Sequence, residues 1–308
     1  MIDVEHLSKS YGETLAVDDL SFTIRPGQVT GFLGPNGAGK STTMRMIVGL
    51  DKPSAGSVTV DGRRYRDLPA PLREVGAMLE ARAIHTGRSA YHHLLAMAQS
   101  NRIAKTRVDE VIELVGLERV ARKRVGGFSL GMGQRLGIAA ALLGDPPVLI
   151  LDEPANGLDP EGILWIRNLL KGFAREGRTV FLSSHLMSEM AVTADHVIVV
   201  GRGRLIADAS VGEIVQHASK NAAVLVRSAR GELLQRALAG PGVVIESIDR
   251  DVLEVHGLSG REIGEVALRE GVALEELTPR QASLEDAFMA LTGDSVDFHA
   301  SPVAEAVA

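Results

Sequence analysis

Residues Gly34–Thr42 read Gly-Pro-Asn-Gly-Ala-Gly-Lys-Ser-Thr, which fits the pattern GxxxxGK[ST]. Glycines in such a loop let backbone amides curl around phosphate groups, and the positive end of a following helix adds to the attraction. The flanking sequence fits, because Gln28–Leu33 has the pattern of an apolar strand and Thr43–Leu50 has helical spacing. An accidental glycine-rich turn is the alternative, and the flanking elements count against it. The segment, called the phosphate loop below, therefore predicts an α/β nucleotide-binding fold.

Within the phosphate loop, each residue type has an expected task. Lys40 reaches the β- and γ-phosphates, and the hydroxyl of Ser41 binds magnesium. The nucleotide-binding residues that we predict here are Gly34, Pro35, Asn36, Gly37, Ala38, Gly39, Lys40, Ser41 and Thr42.

A pair of carboxylates follows a second apolar run. Val148–Leu151 predicts a buried strand, and Asp152 and Glu153 come directly after it. Asp152 is expected to hold the magnesium shell, while Glu153 can polarise an attacking water molecule. His185 stands at the end of the next apolar run. A solvated strand end and an ordinary surface histidine are the alternatives, and the phosphate loop in the same chain makes them the weaker ones.

The intervening pattern indicates an α/β core with helices packed on a parallel sheet. Asp159 and Pro160 are expected to cap a helix that ends near Gly177, and Thr179–Ser183 predicts the next strand. Residues 1–60 predict strands and turns that form an antiparallel N-terminal sheet. Residues 85–145 have helical periodicity and are expected to form a helical subdomain.

The C-terminal part changes character near residue 221. The expected order is β-α-β-β-α-β, the split βαβ arrangement, followed by one more helix. We predict an ATP-binding-type domain over residues 1–220, a small α+β accessory domain over 221–295 and a loose tail over 296–308. The predicted strands and helices are Ala222–Arg227, Glu232–Leu238, Val243–Ile248, Val252–His256, Arg261–Arg269, Ala273–Leu277 and Leu284–Leu291.

Composition narrows the classes of partner. The 33 Lys and Arg against 39 Asp and Glu give a net charge of −6, which disfavours nucleic acid as a general partner. The chain has 0 cysteines, so disulfides, thiolate metal sites and thiol nucleophiles are excluded. The weakly polar stretch Leu136–Gly144 is too short for the ~20 residues of a membrane-spanning helix. A membrane function would thus require another chain to cross the bilayer.

Together these motifs resemble the nucleotide-binding subunit of ATP-binding cassette (ABC) transporters, over roughly residues 2–220. Tyr11 resembles the aromatic residue that stacks on adenine, although a strand-edge tyrosine would be the simpler interpretation in isolation. Phe128–Arg135, called the signature segment below, is similar to the family signature. There Ser129 and Gly131 contact the γ-phosphate held by the other subunit, and Ser129 can also serve as a helix cap.

The resemblance implies a homodimer that sandwiches two Mg-ATP, with ATP and Mg²⁺ as cofactors. It implies that Glu153 polarises water, that His185 senses the γ-phosphate and that Asp159 lies at the dimer interface. A separate transmembrane permease subunit is the implied partner, contacted by Ala81–Gly87, which places the chain on the cytoplasmic face of the membrane. The variants resemble bacterial cassettes that export drugs, antibiotics or lipids.

Some residues depart from the family pattern Leu-Ser-Gly-Gly-Gln. Phe128 replaces the leucine, Leu130 the first glycine and Met132 the final glutamine. Glu80 stands where most members carry glutamine. A glutamate there can still bind magnesium or orient water, but it adds negative charge beside the phosphates.

Other functions within the same superfamily are less consistent with the chain. A cassette that acts on ribosomes normally has two phosphate loops, and a DNA-repair cassette needs a long heptad insertion between the two motifs. About 110 residues separate Lys40 from Asp152, too few for such an insertion. A binding-only regulatory subunit stays open because the signature is altered, and the intact Glu153 and His185 favour turnover instead.

Overall fold

In the computed structural model, the described residues are 1–80, 84–219, 223–280 and 282–292. They form two compact units. The first contains Met1–Ser210 together with the described end of the chain from Leu291, and the second contains Val211–Ala290. The division at residue 210 lies ten residues before the boundary expected from the sequence, because helix α8 (Val211–Ser219) belongs to the second unit.

The first unit is built on two sheets. Within the described residues, one sheet has the order β5-β6-β7-β3-β8-β9, parallel except for the antiparallel β8–β9 pair, and the other is antiparallel with the order β2-β1-β4. The strands are β1 Ile2–Tyr11, β2 Thr14–Ile24, β3 Val29–Leu33, β4 Ala55–Val60, β5 Val75–Met78, β6 Val148–Leu151, β7 Thr179–Ser183, β8 His196–Gly201 and β9 Arg204–Ser210.

The helices of the first unit begin at capping residues that the sequence displays. Ser89 accepts a hydrogen bond from the His92 amide at the start of α3, and Asp159 accepts one from the Gly162 amide at the start of α6. The helices are α1 Lys40–Ile47, α2 Pro71–Glu74, α3 Ala90–Ser100, α4 Lys105–Leu114, α5 Leu130–Leu142, α6 Pro160–Arg175 and α7 Met187–Thr193.

Helix α1 differs from the predicted range Thr43–Leu50 at both ends. Gly39 has φ of 94°, and this left-handed turn leads directly into a helix that begins at Lys40. At the other end the chain leaves the helical conformation at Val48, before the left-handed Gly49.

The core of the first unit joins the two sheets. The rings of Phe22, Phe32 and Phe181 pack in tilted orientations, with centroids 5.1–6.4 Å apart. Phe22 comes from the antiparallel sheet and the other two from adjacent strands of the parallel sheet. All residues of β3, β6 and β7 are buried, as their solid apolar runs predicted.

Strand register brings the predicted site residues to one edge. Met78 of β5 pairs with Leu151 of β6, and Phe32 of β3 pairs with Ser183 of β7. These residues are the last or next-to-last of their strands, so the segments that follow β5, β6, β7 and β3 emerge side by side. The loop after β3 is the phosphate loop, and Asp152 follows β6.

The second unit has its own sheet, antiparallel throughout, with the order β11-β12-β10-β13. This is the strand order of a split βαβ unit. After α8, its elements are β10 Val224–Arg227, α9 Gly231–Leu238, β11 Val244–Asp249, β12 Val252–His256, α10 Gly260–Arg269 and β13 Glu276–Pro279; α11, Leu284–Thr292, follows.

One strand of this sheet lies later than the sequence indicated. The prediction was Ala273–Leu277, whereas β13 runs over Glu276–Pro279 because its ladder with β10 pairs Arg227 with Glu276 and Val224 with Pro279. The partner strand, not local apolar content, sets these bounds. The predicted tail, 296–308, lies outside the described residues.

No helix in the described part of the chain is long and apolar enough to cross a bilayer.

We predict that Leu234→Ala will destabilise the second unit by about 2–5 kcal/mol, the usual cost of truncating a buried leucine. Leu234 of α9 is fully buried against the sheet, among residues that include Val226 and Val255. Its neighbour Leu233 is 44% exposed, so Leu233→Ala is the matched control. Urea unfolding followed by hydrogen exchange in β10 and β12 measures the effect, and equal destabilisation by the two substitutions would contradict this core assignment.

Candidate functional site

The phosphate loop has the backbone that its glycines predict. Gly37 and Gly39 both have left-handed φ, of 82° and 94°. A Cβ added to Gly39 would also lie 2.5 Å from the carbonyl oxygen of Ala16, so only glycine fits there. The turns of the loop therefore depend on Gly37 and Gly39, and the loop lies directly before the N-terminus of α1.

Lys40 lies over this loop. Its Nζ donates hydrogen bonds to the carbonyl oxygens of Gly34 at 2.7 Å and Pro35 at 3.1 Å. Burial lowers the pKa of Lys40, and the negative charges of Glu153 and Asp152 oppose that shift. A partly buried ammonium group thus stands between the loop and the two carboxylates.

Asp152 joins the phosphate loop to two strands. Its Oδ2 accepts a hydrogen bond from Ser41 Oγ at 2.7 Å, and its Oδ1 accepts a short one from Ser183 Oγ. Its amide donates to the Met78 carbonyl at 2.7 Å. The Ser41 hydroxyl and the Asp152 carboxylate are oxygen donors of the kind that magnesium prefers, and they lie within bonding distance of each other.

Glu153 has an unusual main chain. Its φ is 52°, in the left-handed region that costs a non-glycine residue roughly 1–3 kcal/mol. Hydrogen bonds hold it there: Glu153 N donates to Ser183 Oγ at 3.0 Å, and Gln134 Nε2 donates to the Glu153 carbonyl at 2.8 Å. Its carboxylate lies 2.7 Å from His185 Nδ1 and also accepts a bond from the His185 amide.

Tyr11 and Glu80 both lie near Arg45 of α1. The Tyr11 hydroxyl donates to Asp51 at 2.8 Å, and Arg45 of α1 also binds this carboxylate, at 2.7 Å. Burial of the hydroxyl and its bond to Asp51 raise the pKa of Tyr11, while a hydrogen bond with Thr42 of the phosphate loop opposes the shift. Glu80 is close enough for its charge to act on Arg45.

The signature segment packs on the loop before α6. Ser129 caps α5 by accepting a hydrogen bond from the Met132 amide at 3.2 Å. A Cβ on Gly131 would lie 2.7 Å from the carbonyl oxygen of Gly157, so only glycine permits this approach. Asp159 caps α6 through the Gly162 amide at 3.0 Å. Ser129 and Asp159, which the resemblance places at the dimer interface, therefore also serve as helix caps within the subunit.

Relatives of known family share almost the whole chain. An uncharacterized ABC transporter ATP-binding protein, YhcH of Bacillus subtilis, is 38% identical, covering 96% of this chain and 97% of the relative. The bacitracin transport ATP-binding protein BcrA of Bacillus licheniformis is 36% identical, covering 95% and 97%. The chain belongs to the ATP-binding proteins of ABC transporters. The ABC transporter family also matches residues 17–156 of this cassette, and a domain of unknown function matches 222–285.

Solved cassettes confirm the fold of the ATP-binding part. An ATP-binding subunit of an ABC transporter is 27% identical with a TM-score of 0.65, covering 70% of this chain and 92% of that chain. A dimeric cassette in a post-hydrolysis state with ADP and phosphate is 26% identical with a TM-score of 0.63, covering 68% and 99%. The α/β nucleotide-binding fold predicted from the phosphate loop, which is the P-loop NTPase fold, is thus confirmed.

The structure brings most of the predicted residues of the cassette together at one sheet edge. The phosphate loop, Asp152, Glu153 and His185 are joined by hydrogen bonds or by charge. Within the predicted permease-contact segment Ala81–Gly87, residues 81–83 lie outside the described residues.

Two residues of the site were missed by the sequence analysis. Ser183 bonds to both Asp152 and Glu153, and Gln134 bonds to Glu153. The available signal was a polar residue in an apolar environment: Ser183 ends a buried strand, and Gln134 lies on a mostly apolar helix.

We predict that Lys40→Ala will weaken ATP binding by about 10-fold to 100-fold, because a hydrogen bond to a charged group is worth about 1.5–3 kcal/mol. Calorimetric titration with Mg-ATP measures the change. Lys105→Ala, at an exposed position at the start of α4, is the control and should leave the affinity unchanged. Equal affinities of the wild type and Lys40→Ala would contradict the assignment of Lys40 to the nucleotide site.

Proposed function

We propose that this cassette is an ATPase that drives transport through a separate membrane subunit. The observation that carries the proposal is the pairing of Glu153 with His185 at 2.7 Å, beside the bonded Asp152 and Ser41. Glu153, assigned to water activation, and Asp152, assigned to metal binding, thus lie next to each other at the phosphate loop.

Binding of Mg-ATP is assigned to the loop and its neighbours. Lys40 exchanges its bonds to loop carbonyls for bonds to the β- and γ-phosphates, which compensates the desolvation of its ammonium group. Ser41 and Asp152 hold magnesium, with Glu80 as a further candidate oxygen donor. Bound magnesium neutralises charge on the phosphates. Among the described residues, no group of three or more Asp, Glu or His side chains is arranged to hold a metal ion by itself.

Hydrolysis is assigned to the pair Glu153 and His185. The Glu153 carboxylate orients and polarises water toward the γ-phosphorus atom. His185 is bonded to this carboxylate through Nδ1 and is assigned to sense the γ-phosphate. Tyr11, half exposed beside Thr42, offers a ring face for adenine stacking.

A second copy of the chain completes each site. Ser129 and Gly131 of one copy contact the γ-phosphate bound by the other, helped by the positive N-terminal end of α5. Asp159 lies at the interface between the copies. The dimeric solved cassette supports this arrangement. The first unit is assigned to ATP binding, and the second unit, which begins at Val211, is assigned to an accessory domain.

The transported molecule is proposed to be an antibiotic or a similar drug- or lipid-like compound, moved outward. Relatives that cover 95% of this chain include bacitracin transport ATP-binding proteins. A lantibiotic transport ATP-binding protein, SrtF of Streptococcus pyogenes, is 38% identical, covering 67% of this chain and 89% of the relative. The permease contacts the segment Ala81–Gly87, so the cassette lies on the cytoplasmic face of the membrane.

We predict that Glu153→Gln will slow ATP hydrolysis by ~10²-fold or more, the usual cost of losing a positioned base. The amide keeps the shape of the side chain but lacks the charge that polarises water. ATP affinity should be preserved or increased, since one negative charge near the phosphates is removed. With hydrolysis blocked, ATP should trap a dimer that the wild type forms only briefly.

ATPase rate and light-scattering mass, each with and without Mg-ATP, test this prediction on the full chain with its co-purified membrane subunit. Glu118→Gln removes an exposed carboxylate elsewhere and should behave as the wild type. A wild type without ATPase activity would favour the alternative of a nucleotide-binding regulatory subunit. If Glu153→Gln hydrolyses ATP as fast as the wild type, the catalytic role of Glu153 is contradicted, while the ATPase function of the chain is not.

A further inference from the structure

Gln134 is a buried polar residue with a specific partner. The residue is 3% exposed and lies within the signature segment, on helix α5. Its amide group donates to the carbonyl oxygen of Glu153 at 2.8 Å. A buried amide is costly unless it is bonded, so the side chain and this carbonyl hold each other in place.

The bond joins two parts of the molecule that serve different nucleotides. Glu153 belongs to the site of its own phosphate loop, whereas α5 begins at Ser129, which is assigned to the nucleotide of the other copy. The Glu153 amide is held by Ser183 from the sheet side. The Glu153 carbonyl accepts the Gln134 bond from the signature side and a longer one, at 3.2 Å, from the Asn156 amide of its own turn. Gln134 therefore connects this turn to α5, while Ser183 connects it to the sheet.

We propose that Gln134 is a positioning residue that couples engagement of the signature segment to the orientation of the Glu153 carboxylate in the same subunit. A helix moves as a unit, so a displacement of α5 when its N-terminus meets a phosphate changes the Gln134 bond at the second turn. The left-handed conformation of Glu153 then determines where its carboxylate points relative to His185. This inference rests on the proposed ATPase function.

The first test removes the donor and keeps the volume. Gln134→Met should lower kcat by about 10-fold to 100-fold, since a misplacement of about 1 Å can cost 10²-fold. KM should stay within about twofold, because no group that binds the nucleotide changes. Asn101→Leu is the matched control: Asn101 also donates a side-chain amide bond to a carbonyl, that of Met97 in α3, at 2.9 Å. It should leave both constants unchanged.

The second test restores the donor with pH. In Gln134→Glu, an ionised carboxylate would face the Glu153 carbonyl without a proton to share, so activity should fall. Burial raises the pKa of such a carboxyl group, and its protonated form can donate the missing bond. Activity relative to the wild type should therefore rise as the pH falls, while that of Gln134→Met stays flat. The ionisable side chains near this position, Asp152, Glu153, His185 and Arg135, are common to all variants.

The assays use the full chain with its co-purified membrane subunit, and melting temperatures are measured for each variant. The inference is supported by a lower kcat at constant KM in Gln134→Met together with recovery of Gln134→Glu at low pH. It is overturned if a folded Gln134→Met keeps the wild-type kcat, or if kcat and ATP affinity fall in parallel with the melting temperature. The proposed ATPase function would still stand in that case if the wild type hydrolyses ATP and Glu153→Gln does not. An inactive wild type would overturn both the ATPase function and the role of Gln134.

Discussion

The parallel hydrogen-bond ladder that joins β5, β6, β7 and β3 determines where every proposed catalytic group lies. Parallel neighbours end at the same edge of a sheet, and the pairing of Leu151 with Leu182 and of Phe32 with Ser183 brings these ends level. A shift by one residue would turn each side chain to the opposite face. The bonds from Asp152 to both Ser41 and Ser183 require this register, since they connect three different segments.

Close approach of backbone to backbone is the second constraint. Gly131 and Gly157 touch where the signature segment meets the loop before α6, and neither position tolerates a Cβ without displacement of its neighbour. Leu130 replaces a glycine of the family pattern, and its side chain packs over Gly157. The contact is so close that a Cβ on Gly157 would lie 2.4 Å from Leu130 Cδ2. The altered signature is therefore accommodated locally by an apolar contact. Ser129 caps α5, which begins at Leu130.

The sequence analysis performed best where chemistry is local. The phosphate loop, the Asp152–Glu153 pair and the cap at Asp159 depend on neighbours within a few residues, so their patterns predicted them directly. It performed less well where partners are distant in sequence. Strand β13 lies later than predicted, and the antiparallel pair β8 and β9 was not predicted, because both depend on ladders with other strands.

The sequence by itself determined the family, the fold class and the nucleotide chemistry. A glycine-rich loop between a strand and a helix is typical of phosphate binding, and the other motifs in the chain match the same family. Only the tertiary structure showed how Glu153, the proposed catalytic carboxylate, is held. Gln134 and Ser183 lie 19 and 30 residues from Glu153, yet their bonds fix its left-handed main chain. A hydrogen bond between such distant residues depends on packing of a helix and a strand around one loop, and no periodicity or local motif in the sequence encodes that geometry.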